Sequence, residues 1–140
     1  MKTKQLGRSL LVFLEPGDEL LECVCAAAEQ NGVKSALVSG IGAVGELTAG
    51  AFNPAEDRYR VQEYKEPLEI CSLSGSVTDR AGKPFPHIHI AASRLDGTVV
   101  GGHIRRAVVS LAGEIFLTEL EGTLERRMGT ENGPSPLILD

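Results

Sequence analysis

Turn-forming residues recur along this chain at intervals of about 8–12 residues, and the segments between them are rich in β-branched and aliphatic residues. This spacing favours an antiparallel sheet or barrel, because short strands joined by tight turns leave no room for crossover helices. The 16 glycines support the same interpretation, since glycine is common in tight turns and bulges. The predicted strands span residues 10–14, 33–39, 45–52, 58–64, 68–78, 87–94, 98–105, 108–111, 115–120 and 124–127.

A single segment, residues 19–30, has helical rather than strand periodicity. Its apolar positions on one helix face are Leu20, Leu21, Val24, Ala27 and Ala28. Asp18 is the predicted N-cap, and Asn31-Gly32 is expected to end the helix. One helix among many strands predicts an α+β domain, in which a mainly antiparallel sheet or partial barrel carries one principal helix packed on it.

The length of 140 residues is that of one domain. We assign residues 1–128 to this domain and predict a loosely packed C-terminal tail at 129–140, where glycine and proline are frequent. The basic and then apolar N-terminal segment is interpreted as the first strand rather than a signal peptide, because acidic residues follow it at once. No apolar run reaches the roughly 18 residues that a membrane span requires, so no membrane association is expected.

The net charge of the chain is −5, from 14 Lys and Arg against 19 Asp and Glu. An acidic chain repels phosphate backbones at long range, so direct contact with DNA is not expected. The absence of tryptophan and the aromatic content of only 4% also disfavour a platform on which bases could stack.

The three cysteines are Cys23, Cys25 and Cys71. Their number is odd, and no pair has the C-x-x-C spacing. This pattern indicates reduced thiols in a reducing compartment, and we therefore expect a cytoplasmic protein.

Residues 40–45, GIGAVG, match the G-x-G-x-x-G pattern of dinucleotide-binding proteins. That site requires a helix to begin at the glycines, because the N-terminus of the helix holds the pyrophosphate. Here the following residues, ELTAGAF, continue as a β-like sequence. We reject the nucleotide interpretation and expect a tight connection where the backbone bends or packs closely.

All three histidines of the chain lie between positions 87 and 103. His87 and His89 are two residues apart in a predicted strand, so both imidazoles leave the same face of that strand. Imidazole is a common metal ligand, and two imidazoles on one strand face can chelate one ion. A third ligand has to come from outside the strand, and His103 is the candidate.

The register of the following hairpin decides whether His103 can join the other two histidines. A two-residue loop centred on 96–97 would pair His103 with Ile90 and place its ring on the wrong face. A three-residue loop at 95–97 would pair His103 with His89 and bring the three imidazoles to one face. Asp-Gly fits both loops, so the sequence leaves the two registers open.

Three histidine ligands with a fourth position open are typical of reactive zinc centres rather than closed structural ones. Copper, nickel and iron also accept imidazole, so zinc is chosen on availability and geometry. The alternative is that two of the imidazoles are surface residues and one is merely hydrogen-bonded. Arg105 and Arg106 follow His103, and because they point to opposite faces, at most one of them would reach an anion near the site.

Four segments that together cover nearly the whole chain carry a family resemblance: 14–22, 38–59, 67–104 and 114–127. The most specific part is PHIHI followed by DGTVVGGH. In these segments the chain resembles the PPC domain, which occurs in stand-alone proteins of bacteria and archaea and in plant nuclear proteins that carry an AT-hook. The resemblance implies a compact α+β domain, a homotrimer, and a metal site whose three histidines correspond to His87, His89 and His103. The DNA-binding hook of the plant proteins has no counterpart in this chain, since Arg126-Arg127 is too short to replace it.

We therefore predict a cytoplasmic, homotrimeric metal-binding protein in which zinc, or another divalent transition metal, is held by the three histidines. A small anionic ligand or water would fill the open position. Whether the ion would also catalyse a reaction, as a Lewis acid or by acidifying bound water, is left open. The alternatives are a DNA-associated regulatory protein and a purely structural interaction module.

Overall fold

The computed structural model describes residues 1–129 and 134–139, which form one helix and nine strands. The helix, α1, spans Leu20–Gln30. The strands are β1 Lys2–Leu6, β2 Ser9–Leu14, β3 Ala36–Asn53, β4 Arg58–Tyr64, β5 Leu68–Arg80, β6 Lys83–Ser93, β7 Val99–Glu119, β8 Glu125–Arg126 and β9 Leu137–Ile138.

All nine strands belong to one sheet with the order β1-β2-β7-β3-β5-β8-β9. Strand β4 pairs with β3, and β6 bridges β5 and β7. The pairings β3–β5, β5–β6, β6–β7 and β7–β3 link four strands in a circuit. The other five strands lie outside this circuit, so the sheet is a partial rather than a true barrel. Every pairing is antiparallel except the single one between β5 and β8. The predicted α+β class, with a mainly antiparallel sheet and one principal helix, is confirmed.

Helix α1 packs its predicted apolar face against the sheet, with Leu20, Val24, Ala27 and Ala28 buried. The N-cap differs from the prediction, because the Glu19 carboxylate rather than that of Asp18 accepts the bond from the Glu22 backbone N–H, at 2.8 Å. Asp18 instead accepts from the backbone N–H of Glu15. The predicted C-terminal end is correct, since Asn31 caps the helix.

The structure merges several predicted strands into long ones. Residues 36–39 and 45–52 belong to the 18-residue strand β3, whereas residues 33–35 of the first predicted segment precede it. Residues 99–105, 108–111 and 115–119 belong to the 21-residue strand β7. The predicted breaks between these segments were wrong, because strand pairing continues through local irregularities. One irregularity lies at the glycine motif, where no helix begins and the register shifts between Gly40 and Gly42. Gly42 has a φ of +152°, and a Cβ there would lie 2.8 Å from the Cα of Gly113, so the expected close packing is confirmed.

One aliphatic core fills the space between α1 and the sheet. Of the predicted tail at 129–140, residues 130–133 and 140 lie outside the described residues, whereas Leu137–Ile138 forms β9 and pairs with β8. Among the described residues, no helix has the length and apolar character that crossing a bilayer requires. Cys23, Cys25 and Cys71 are all free thiols.

Candidate metal centre

The hairpin between β6 and β7 has the three-residue loop. The backbone N–H of Arg94 donates to the carbonyl of Thr98 at 2.8 Å, and Gly97 donates to the Arg94 carbonyl at 3.0 Å. Gly97 has a φ of +84°, the left-handed conformation that a bulged three-residue loop needs at this position. His103 consequently pairs with His89, which is the second of the two registers that the sequence left open.

The three histidines converge on the outer face of the sheet. His87 and His89 alternate with the buried Ile88 and Ile90 along β6, so both imidazoles point away from the core. The ring centroids are 5.2 Å apart for His87 and His89, 5.2 Å for His87 and His103, and 5.4 Å for His89 and His103. One nitrogen from each ring can be chosen so that all three lie within 4.8 Å of one another. A group of this size can surround a single ion.

His103 is the most enclosed of the three imidazoles. Its ring is half-buried and packs on Tyr59 of β4, with 5.0 Å between the ring centroids. Its Nδ1 is buried and has no hydrogen-bond partner among the residues that the structure describes. A buried polar atom without a partner is rare in folded proteins, and a metal ion would supply the missing partner. The residues present therefore fit a bound transition metal.

The surroundings of the cluster favour the neutral form of two of the imidazoles, those of His103 and His87. Burial lowers the pKa of His103 to about 4, and the charge of Arg105 contributes in the same direction. Burial also lowers the pKa of His87, followed by the charge of Arg126. Neutral imidazole is the form that ligates metals, so protons compete weakly for these two rings near neutral pH.

The metal-free protein should lose stability as the pH falls from 6.5, the ordinary pKa of histidine, towards the value of about 4 for His103. In that range the unfolded chain binds a proton at His103 that the folded chain does not, so acid favours unfolding. Urea unfolding in the presence of a chelator, repeated between pH 4 and 7, measures this dependence. We expect a shallower dependence for His103→Gln, whose amide does not titrate; an equal slope for both proteins would contradict the assignment.

Two arginines flank the cluster, and neither contacts a carboxylate within residues 1–129 and 134–139. On the β8 side, Arg126 places its Nη2 3.3 Å from Nδ1 of His87. On the β4 side, Arg105 lies over the Tyr59 ring at 4.2 Å. Arg106 approaches Glu46 at 3.5 Å. The register shifts between Ile104 and Arg106, and Arg105 and Arg106 are both exposed, so the strict alternation expected for these two arginines is interrupted at this point. Arg126 and Tyr59 are absent from the sequence-based site, because strand pairing rather than local spacing brings them to the histidines.

The sequence pattern of the Plants and Prokaryotes Conserved (PCC) domain matches residues 1–121 of this chain. Among proteins of curated function, none matches it. Solved structures that share its fold over nearly their whole length include proteins from Pyrococcus horikoshii, Archaeoglobus fulgidus and Bacteroides thetaiotaomicron.

A protein from Pyrococcus horikoshii, described as a plant- and prokaryote-conserved (PPC) protein, is 34% identical with a TM-score of 0.82, covering 90% of this chain and 88% of its own. A protein from Archaeoglobus fulgidus, described as metal-containing, is 32% identical with a TM-score of 0.84, covering 96% of both chains. A candidate DNA-binding protein from Bacteroides thetaiotaomicron is 27% identical with a TM-score of 0.91, covering 98% of this chain and 96% of its own.

Proposed function

The chain belongs to the Plants and Prokaryotes Conserved domain family, and on that basis we propose that it is a metal-binding protein in which His87, His89 and His103 hold a zinc ion. The observation that carries the proposal is the convergence of three imidazoles around a buried, unpartnered nitrogen of His103. The metal-containing neighbour from Archaeoglobus fulgidus supports it.

Zinc is proposed over other metals because a site of three imidazoles with one open position suits its tetrahedral preference. Copper, nickel and iron accept the same ligands and remain competitors for the site. The open position is proposed to hold water or a small anion, since both flanking side chains, Arg105 and Arg126, are cationic. A metal ion held by the three histidines would act as a Lewis acid or lower the pKa of water bound at the open position.

Metal uptake by untagged protein tests this function. Protein stripped with a chelator and dialysed should take up one Zn²⁺ per chain, measured by isothermal titration calorimetry and by elemental analysis after desalting. A polyhistidine tag is excluded because it binds the same metals. Protein that remains metal-free after incubation with zinc, cobalt, nickel and copper would overturn the proposal.

We also propose that the protein assembles as a homotrimer in the cytoplasm. Several large apolar side chains are more than half exposed in the single chain and are available for burial between subunits, among them Leu37, Ile41, Val99 and Leu111. The three free thiols fit a reducing compartment. Light scattering coupled to gel filtration should give the mass of three chains, and a monomer mass would contradict this assembly.

A DNA-associated regulatory role is the second candidate, because the Bacteroides thetaiotaomicron neighbour is described as a candidate DNA-binding protein. The net charge of −5 argues against direct phosphate contacts. Gel-shift titrations at several salt concentrations distinguish the two functions. Affinity that falls steeply with salt would favour DNA binding, and absence of binding at low salt would leave metal binding as the function.

A further inference from the structure

The guanidinium of Arg126 uses all three of its nitrogens beside the histidine cluster. Its Nε donates to Oγ1 of Thr78 at 3.0 Å, and its Nη1 donates to the carbonyl of Ser135 at 2.7 Å. Its Nη2 lies 3.3 Å from Nδ1 of His87. Arginine has only donors, so Nδ1 of His87 must be the acceptor in this contact. Arg126 is therefore held at the edge of the site with one of its N–H groups directed at a metal-ligand candidate.

The positive charge of Arg126 is partly buried, and the part of the chain that the structure describes places no carboxylate against it. Among the described residues, no Asp or Glu lies within ion-pair distance of Arg126 or of Arg105. Burial lowers the pKa of Arg126, which reflects the loss of water around its charge. A dication added to the neighbouring imidazoles would raise the local positive charge further. Opposite charge from a bound anion would relieve this repulsion.

Metal binding also removes the hydrogen-bond acceptor that Arg126 now uses. A neutral imidazole has one ring nitrogen with a lone pair and one that carries hydrogen. If His87 ligates through Nδ1, its lone pair is given to the metal. If it ligates through Nε2, its Nδ1 carries hydrogen and cannot accept. In both cases Nη2 of Arg126 is left with a donor and no acceptor at His87.

We propose that Arg126 couples metal binding to the binding of a small oxyanion, which replaces His87 as the acceptor of Nη2 and occupies the open position of the metal. This inference rests on the proposed metal-binding function. The ligand class is a carboxylate or phosphate, because the planar guanidinium matches the geometry of these groups. Without an oxyanion, Arg126 and the metal compete for the single lone pair of the neutral His87 imidazole. When an oxyanion is bound, it is held by Arg126 and the metal together, and the competition for His87 ends.

The experiment measures Zn²⁺ affinity by calorimetry with and without inorganic phosphate, and separately with and without acetate. Ionic strength is held constant with sodium perchlorate, whose anion coordinates metals weakly. For the wild-type protein we expect at least one of the two anions to tighten zinc binding by about tenfold, within the range of ordinary coupling between sites. Phosphate also binds free zinc, but this competition weakens the apparent affinity of the protein for zinc, which is the opposite of the tightening expected here. Comparison of the two anions shows whether the site prefers phosphate or carboxylate.

The variant Arg126→Gln should bind zinc more tightly than wild type when no oxyanion is present and should lose the anion-dependent tightening. Arg127→Gln is the matched control, because it makes the same charge change at the adjacent exposed position. It should keep the full anion dependence. Arg126→Lys retains the charge without the planar fork and should show reduced but measurable coupling, so it tests the role of Arg126 even if Arg126→Gln folds poorly.

The outcomes separate this inference from the function on which it rests. No zinc uptake under any condition would overturn the metal-binding function itself. Zinc uptake that is unaffected by phosphate and acetate in the wild-type protein would overturn the coupling alone. Full coupling in Arg126→Gln would show that the anion is held by other residues and would overturn the role of Arg126.

Discussion

The variant His103→Ala should bind Zn²⁺ more than about 100-fold more weakly than the wild-type protein, because partners one step removed from a metal already change affinity by about 10–100-fold. Loss of His103 leaves two ligands, both on β6, and removes the one that β7 contributes. It also removes the buried Nδ1 that has no protein partner among the described residues. Zinc titration by calorimetry, or cobalt titration followed by visible absorption, measures the change.

Tyr59→Phe is the control for this substitution, because it keeps the aromatic ring that packs on His103 at 5.0 Å and removes only the hydroxyl. It should bind zinc as tightly as wild type. If His103→Ala retained wild-type zinc affinity, the metal would be bound elsewhere and the three-histidine site would be wrong. Thermal unfolding of the metal-free proteins should accompany the titrations, so that loss of the fold is not mistaken for loss of a ligand.

The second large effect is expected at Gly101, where β7 passes beside β6. A Cβ at this position would overlap the carbonyl oxygen of Ile90 and lie 2.9 Å from its carbonyl carbon. Both atoms belong to the backbone and cannot rotate away, so Gly101→Ala must push the two strands apart. We expect destabilisation at or above the upper end of the roughly 1–3 kcal/mol that overpacking usually produces.

Gly101→Ala should also impair zinc binding, because the same strand pair holds His89 opposite His103. Urea unfolding and zinc titration of one preparation measure both effects. Gly45→Ala in β3 is the control, since a Cβ there would meet only the Cβ of Ser110 at an ordinary 3.4 Å. Equal stability of Gly101→Ala and wild type would show that β6 and β7 are not packed as closely as the structure indicates.

The sequence held an indication of the correct hairpin register that the loop residues alone did not provide. Ile88, Ile90 and Ile104 are all buried, and each is adjacent to a histidine. Had the loop contained two residues, Ile104 would have shared a face with His87 and His89 instead of the core. Burying the isoleucines on one face therefore forces all three imidazoles to the other, because the side-chain period of a strand is two.

The division of β3 and β7 into shorter segments failed for a different reason. Glycines and small residues interrupt the alternation near Gly42 and Gly113, and such interruptions resemble turns when each segment is considered alone. In the fold these two glycines face each other across neighbouring strands, so the irregularity permits close approach instead of ending the strand. Whether such a glycine ends a strand or permits close approach within it is therefore visible only when the neighbouring strand is known.

Local pattern was sufficient for the α+β class, the single helix, and the placement of His87 and His89 on one face, because these depend on periodicity along a few residues. The tertiary structure decided which side chains complete the site. Tyr59 and Arg126 come from β4 and β8, and long-range strand pairing brings them to the β6–β7 hairpin that carries the three histidines. Such pairing depends on which buried faces fit together across the whole chain, and no spacing within one segment specifies it.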